Sequence, residues 1–360
     1  MNSRRKINYN LNFACILTTG RTGSDFLQGS LDSVPGIITF SGEVPFYSFL
    51  QDPQVKKIFQ SKNFLKLILI FIKKHHNLFF NDSLENKIIN LNLNKFKKIF
   101  LKLSEGRKFN KKTFLINLYL AYHLTLNRIM LKKNVIVHHS HSVLETELFL
   151  NDFKDSKVLV TIRNPMQNLK SGIDNWVKYD PKKKNFEHFY LYIRRIREDL
   201  NFALKKKSHF VKLEEMNLDK TKKKILKFLN IKYSKLINRS TFAGRLWRSD
   251  KLSNFKSRKG KYDTSVVSQN WESYFSRSDQ LILSFLYNKY DKFGYKIKKL
   301  TFIQKIYLPI LFFFPLKFER KMILQIFLNS HFPTFKKNIY FYVRKVLYFI
   351  NIYLLKVIYD

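Results

Sequence analysis

The sequence is short of cysteine, glycine, proline and acidic residues. Its 360 residues hold one cysteine, Cys15, so neither a disulfide framework nor a cysteine-built zinc site can form within the chain. Glycine occurs 10 times and proline 8 times, too rarely for a collagen-like or linker-rich protein. No window of 18 uncharged apolar residues occurs, and the best run, 306–316, is broken by Pro309 and Pro315. The apolar run Phe13–Leu17 is too short for the core of a secretion signal. A lone thiol suits a reducing compartment, and the chain reads as cytoplasmic.

The scarcity of acid has the largest consequence. Asp and Glu number 26 against 67 Lys and Arg, a net charge of +41. Such an excess fits three kinds of partner: nucleic acid, an anionic membrane surface, or an anionic small substrate. Residues 301–360 carry 9 basic and 2 acidic residues, a net +7, which leaves +34 on the first 300 at nearly the same density. A nucleic-acid binder concentrates its charge in a stripe or tail, so this even spread argues against nucleic acid. A hydrophobic share of 45% and an aromatic share of 16% are those of a folded chain.

Apolar patterning gives the organisation. Asn12–Thr18 reads as a strand, Thr19–Ser24 as a glycine-containing turn, the stretch with Phe26, Leu27 and Leu31 as a helix, and Ile37–Phe40 as a second strand. Strand, helix and strand within about thirty residues form a βαβ unit and imply a parallel sheet. Residues 135–138 and 158–162 read as buried strands, and His209–Leu213 as a further one before a Lys-rich helix ending near Leu229. A helix is expected after Pro165, with Leu169, Ile173 and Trp176 on one face. The expected fold is α/β, a central parallel sheet flanked by helices. Residues 51–134 form a helical insertion, a wall or lid for an acceptor. Residues 301–360 form a helical, aromatic and basic C-terminal extension, with Phe318, Met322, Ile323, Ile326 and Phe327 on one helical face.

The turn Thr19-Gly20-Arg21-Thr22-Gly23-Ser24-Asp25 carries the most chemistry. A helix N-terminus after a strand offers backbone N–H groups and a positive dipole end to a phosphate or sulfate. Gly20 and Gly23 let the backbone come close, Thr22 and Ser24 add hydroxyls, and Arg21 adds a cationic fork. It is not the nucleotide-binding loop of P-loop kinases, which has Lys where Gly23 stands. A second element runs from Val158 through Arg163, Asn164 and Pro165 to Ser171. It delivers an Arg at the carboxyl end of a strand, where open α/β sheets bind ligands, and a Ser eight residues on.

Together these elements resemble the sulfotransferases that use 3′-phosphoadenosine 5′-phosphosulfate. Gly20-Arg21-Thr22-Gly23-Ser24-Asp25-Phe26 resembles their 5′-phosphosulfate loop, and its continuation to Pro35 resembles bacterial and Golgi-type members. Arg163 through Ser171 resembles the segment holding the 3′-phosphate, and Arg258-Lys259-Gly260 resembles a later segment that wraps it. Val211–Met216 and Phe293-Gly294-Tyr295 resemble further conserved stretches. Asp25 departs from the pattern, standing where these enzymes usually have Thr. The resemblance implies a P-loop-like fold and the phosphosulfate nucleotide as donor, without a metal. It also implies an acceptor hydroxyl or amine on a saccharide, a glycolipid or another hydroxyl substrate. Arg21 would stabilise the leaving group. Two general bases compete: Glu43, in the Gly-Glu that carbohydrate and tyrosylprotein sulfotransferases carry, is the expected base, and His141, in His138-His139-Ser140-His141, is the alternative. The other classes considered are a P-loop-type kinase and a non-catalytic basic protein binding nucleic acid or a membrane surface. The basic binder leaves the turn unexplained, and the kinase would need a lysine where Gly23 stands. The extension 301–360 carries an expected peripheral contact with a membrane's inner face.

Overall fold

The computed structural model describes residues 10–79, 91–179, 186–246, 260–262, 267, 270–320, 323 and 332–359. The elements run β1 (Asn10–Leu17), α1 (Ser24–Asp32), β2 (Ile37–Ile38), α2 (Phe46–Gln51), α3 (Pro53–Gln60), α4 (Phe64–Lys74), α5 (Leu93–Ser104) and α6 (Lys111–Thr125). Then come β3 (Lys133–Ser140), α7 (Val143–Asp152), β4 (Lys157–Ile162), α8 (Pro165–Tyr179), α9 (Phe186–Lys205), β5 (Ser208–Lys212) and α10 (Asp219–Phe228). The hairpin β6 (Thr241–Phe242) and β7 (Arg245–Leu246), α11 (Arg277–Leu286), α12 (Phe302–Phe312) and α13 (Phe332–Tyr359) follow. They divide into two compact units, 1–161 with 203–266 and 162–202 with 267–360. The 301–360 extension thus belongs to a larger unit that also contains α8, most of α9 and α11.

The first unit is built on a five-stranded sheet in the order β2-β3-β1-β4-β5. β1 pairs in parallel with β3 and β4, and β3 with β2, as the βαβ pattern implies. Alternate residues enter two cores. Ala14, Ile16, Val135 and Val137 pack with α1 and α10, whereas Cys15, Ile38 and Ile136 pack with the helices of the insertion. Among the described residues of 51–134, α3 to α6 pack on one face of the sheet. Phe71, Phe96, Phe100 and Phe114 are fully buried, and Phe100 meets Phe114 edge to face at 5.4 Å. Cys15 lies in this core beside Thr146, and burial pushes its thiol up to about 12, so it is a packing residue.

β2 is shorter than the expected Ile37–Phe40. Competing partners explain this: Thr39 donates its hydroxyl to Asp32, and the Phe40 carbonyl accepts from Gln28. Asp32, at the end of α1, is the polar hub of this unit. Both its carboxylate oxygens lie 2.8 Å from the Arg128 guanidinium, and Thr39, Thr241 and the Gly244 N–H also donate to it. Ala243 and Gly244, with φ of 51° and 78°, make the tight turn of the β6–β7 hairpin. Asp32→Ala leaves the half-buried Arg128 without its carboxylate. We expect a loss of about 3–5 kcal/mol in denaturant unfolding; a loss below about 1 kcal/mol would show that Arg128 escapes to solvent.

In the second unit Asn164 caps α8, accepting from the Met166 and Gln167 N–H groups, and Pro165 occupies the first helical position as expected. Leu169 and Ile173 are buried. Tyr192 lies so close to Gly172 that a Cβ there would meet its ring at 2.1 Å. Of the face expected for 318–327, Phe318 is buried against Phe189, while Met322, Ile326 and Phe327 lie outside the described residues.

Candidate active site

The site assembles where β1, β2 and β3 end at the same edge of the first unit's sheet. Leu17 is in register with Ser140, and the Thr18 N–H donates to the Ser140 carbonyl at 3.2 Å, so the turn after β1 and the histidines after β3 are neighbours. Three hydroxyls tie the turn down. Thr18 Oγ1 lies 2.6 Å from Thr22 Oγ1, which lies 2.7 Å from Thr161 Oγ1 on β4, and the Gly20 N–H donates to Thr18.

Gly20, Arg21 and Gly23 are left-handed, with φ of 86°, 55° and 82°. For Arg21 that conformation is a cost borne by a residue with a side chain, of the kind that clusters at ligand sites. Gly23 also sits under Leu213 and Met216, where a Cβ would meet the Leu213 methyl at 2.5 Å. That contact ties the turn to the Val211–Met216 segment. Gly23, which has no side chain, is the N-cap of α1, so the positive end of the helix dipole lies at the turn. Ser24, Asp25 and Phe26 form that first turn. Phe26 meets Tyr262 edge on at 5.2 Å, and its carbonyl accepts from Ser240 Oγ. Ser240 in turn donates its N–H to the Gly260 carbonyl, so Gly260 is anchored beside α1. Arg258 and Lys259 lie outside the described residues.

The structure joins the two competing bases. The Glu43 carboxylate accepts the His141 N–H at Oε1 (2.8 Å), and its Oε2 lies 2.6 Å from His141 Nδ1. Burial works against the Glu43 charge, but the His141 ring and N–H outweigh it and hold the acid at about 2. Glu43 is therefore a carboxylate that keeps a proton on Nδ1 and leaves Nε2 as the basic nitrogen of His141. The His141 ring borders the turn: its Cδ2 lies 4.0 Å from where a Gly20 Cβ would stand.

His139 and His141 share one face of the β3 end, their rings 4.7 Å apart, as alternation along a strand requires. His139 is fully buried, and its Nδ1 lies 2.9 Å from Gln28 Oε1. The Gln28 amide donates to the carbonyls of Phe40 and Gly42, which fixes its oxygen toward His139 and makes His139 Nδ1 the donor. Burial, then the neighbouring His141, lowers the His139 pKa well below its ordinary value, so the ring is neutral. Asp25 Oδ1 stands 3.8 Å from His139 Nδ1, so the departure from the family pattern points toward the histidines. His138 faces the other core, stacked on Phe149 at 4.9 Å and bonded to the Tyr119 hydroxyl.

Arg163 and Ser171 belong to the second unit. Arg163 is 2% exposed directly after β4, and Ser171 lies two turns into α8. Gln28 was not singled out from the sequence. Its signal is a polar residue on the apolar face of α1, among Phe26, Leu27 and Leu31. Among the described residues, no group of three His, Cys, Asp or Glu is placed to hold a metal ion.

No protein-family model and no curated protein matches the chain. Among solved structures it is similar to a sulfotransferase domain of the Synechococcus PCC 7002 olefin synthase, at 14% identity and a TM-score of 0.44, covering 83% of this chain and 100% of that one. The sulfotransferase domain of the curacin biosynthetic pathway gives 12% identity and 0.44, covering 81% and 100%. Sulfotransferase STF9 of Mycobacterium avium gives 13% and 0.41, covering 81% and 79%.

Proposed function

We propose that the chain is a sulfotransferase moving a sulfuryl group from 3′-phosphoadenosine 5′-phosphosulfate to a hydroxyl of a saccharide or glycolipid acceptor. The observation that supports the reading is the Glu43–His141 pair, held beside the turn after β1. The residues of that turn suit the donor's anionic end, through two left-handed glycines at the start of α1. The motif resemblance assigns the 5′-phosphosulfate to this turn and the 3′-phosphate to Arg163 and Ser171. When bound, the donor supplies an activated sulfuryl group with a phosphate as its leaving group.

His141 Nε2 takes the proton of the acceptor hydroxyl as that oxygen attacks. Glu43 holds the ring in the required tautomer and stabilises the imidazolium that forms, the part a carboxylate plays toward a base histidine in hydrolase triads. Arg21 and the N–H groups of the turn stabilise the charge left on the departing phosphate. His139, neutral and locked by Gln28, adds no second positive charge beside His141. Gln28 and Ser41 set the position of the Glu43 loop, Ser41 by donating to the Leu78 carbonyl of the insertion (2.7 Å). The insertion therefore borders the acceptor side.

Binding of the desulfated nucleotide tests the reading without knowledge of the acceptor. Calorimetry with 3′-phosphoadenosine 5′-phosphate should give a dissociation constant of about 1 μM or below. Arg21→Ala should weaken it roughly tenfold or more, the value of a charge-assisted phosphate contact. Absence of saturable binding to the wild type would sink the proposal.

A further inference from the structure

α12 is apolar apart from Gln304 and Lys305, yet only part of it is covered. Leu308 and Phe312 are buried, Phe312 packing on Phe285 of α11 and Phe349 of α13. The opposite side exposes Phe302 (77%), Ile303 (62%), Ile306 (58%), Ile310 (62%) and, just past the helix, Phe313 (61%). At 3.6 residues per turn these fall within an arc of roughly 100° that contains no charged residue. α13 adds exposed Ile339, Val343 and Leu347 at helical spacing. Scattered exposed apolar residues need no explanation, but a continuous face of this kind does.

Charge decides what covers it. The segment entering α12 carries Lys296, Lys298 and Lys299, all exposed, and Lys305 is exposed on the helix itself. A second copy of the chain would bring the same lysines together on proteins each carrying +41. An anionic lipid surface meets both features, taking the apolar side chains at the acyl boundary and the lysines at its phosphates. Among the described residues no helix is long and apolar enough to cross a membrane. We infer that α12, with its basic approach, docks the protein flat on an anionic membrane surface. This inference is independent of the sulfotransferase reading and its failure leaves that reading untouched.

Co-sedimentation of the full chain with vesicles tests it, using phosphatidylcholine alone and phosphatidylcholine mixed with phosphatidylglycerol. The wild type should partition to the mixed vesicles at least about tenfold more strongly, and less so at high salt. Ile306→Ser with Ile310→Ser, and separately Lys298→Glu with Lys299→Glu, should each lose most of that binding. These positions are exposed, so thermal unfolding should not change. The inference is overturned if the wild type stays in the supernatant, or if both double variants bind as it does. It is overturned equally if light scattering shows a wild-type dimer that the isoleucine variant dissociates.

Discussion

His141→Ala is expected to slow sulfuryl transfer by about 10²–10⁴-fold while nucleotide affinity stays unchanged, the loss typical of removing a general base. The expectation follows from the direction of the Glu43–His141 pair. A carboxylate held at about 2 is a weak proton acceptor at neutral pH, whereas an imidazole whose Nδ1 proton it binds accepts protons through Nε2. Glu43→Gln should cost a comparable amount, because the amide can donate to Nδ1 and move the ring's proton to Nε2. The two variants separate the roles. With His141 gone, Glu43 loses the partner that lowers its pKa, and its burial drives the pKa up. If Glu43 were the base, His141→Ala would remain active with a shifted acid limb in its pH–rate profile, and only the Glu43 variant would be inactive.

Mild acid should unfold the protein, with most of the loss coming between pH 6.5 and 4. Burial lowers His123 and His138 to about 4, and His139 also falls well below its ordinary 6.5. These rings are neutral in the folded protein, whereas the unfolded chain takes up protons once pH drops below 6.5. Their contribution is therefore complete above 6.5 and shrinks as pH falls toward 4. A drop from 6.5 to about 4 corresponds to roughly 3 kcal/mol for each group. Two or three such groups rival the whole stability of an ordinary domain, about 5–15 kcal/mol. Glu43 acts in a lower window: its pKa is depressed, so its contribution persists through this range and fades only as pH falls from 4.5 toward 2. Denaturant titrations at pH 7 and pH 5 should differ by several kcal/mol, and His138→Phe should flatten the difference. Equal stability at the two pH values would contradict the neutral, buried assignment of these histidines.

Local signals in the sequence carried much of this account, and long-range pairings did not. The turn Thr19–Asp25 was legible because glycine, hydroxyl and arginine positions repeat what an anion demands of a helix start. β1, β3 and β4 were legible as buried apolar runs, and each falls within two residues of its expected bounds. Glu43 and His141 were each legible as a candidate base, one at a strand end and one in a histidine cluster. Their union was not, because 98 residues separate them and only the β2–β3 pairing brings them side by side. Asp32 and Arg128, separated by 96 residues, were hidden for the same reason. Gln28 was hidden differently: a single amide on an apolar helix face gives no hint of the two carbonyls and the imidazole it meets. The net charge of +41 named no partner by itself; only a few of its cations, Arg21 and the lysines before and on α12, have a proposed use.

The most direct test of the central claim is transfer of labelled sulfate from 3′-phosphoadenosine 5′-phosphosulfate to lipid, saccharide and peptide fractions by wild-type protein and by His141→Ala. Label is expected in a saccharide or glycolipid fraction with the wild type, and none above background with the variant. Equal labelling by the two proteins, or a wild type that binds the nucleotide yet labels nothing, would contradict that claim.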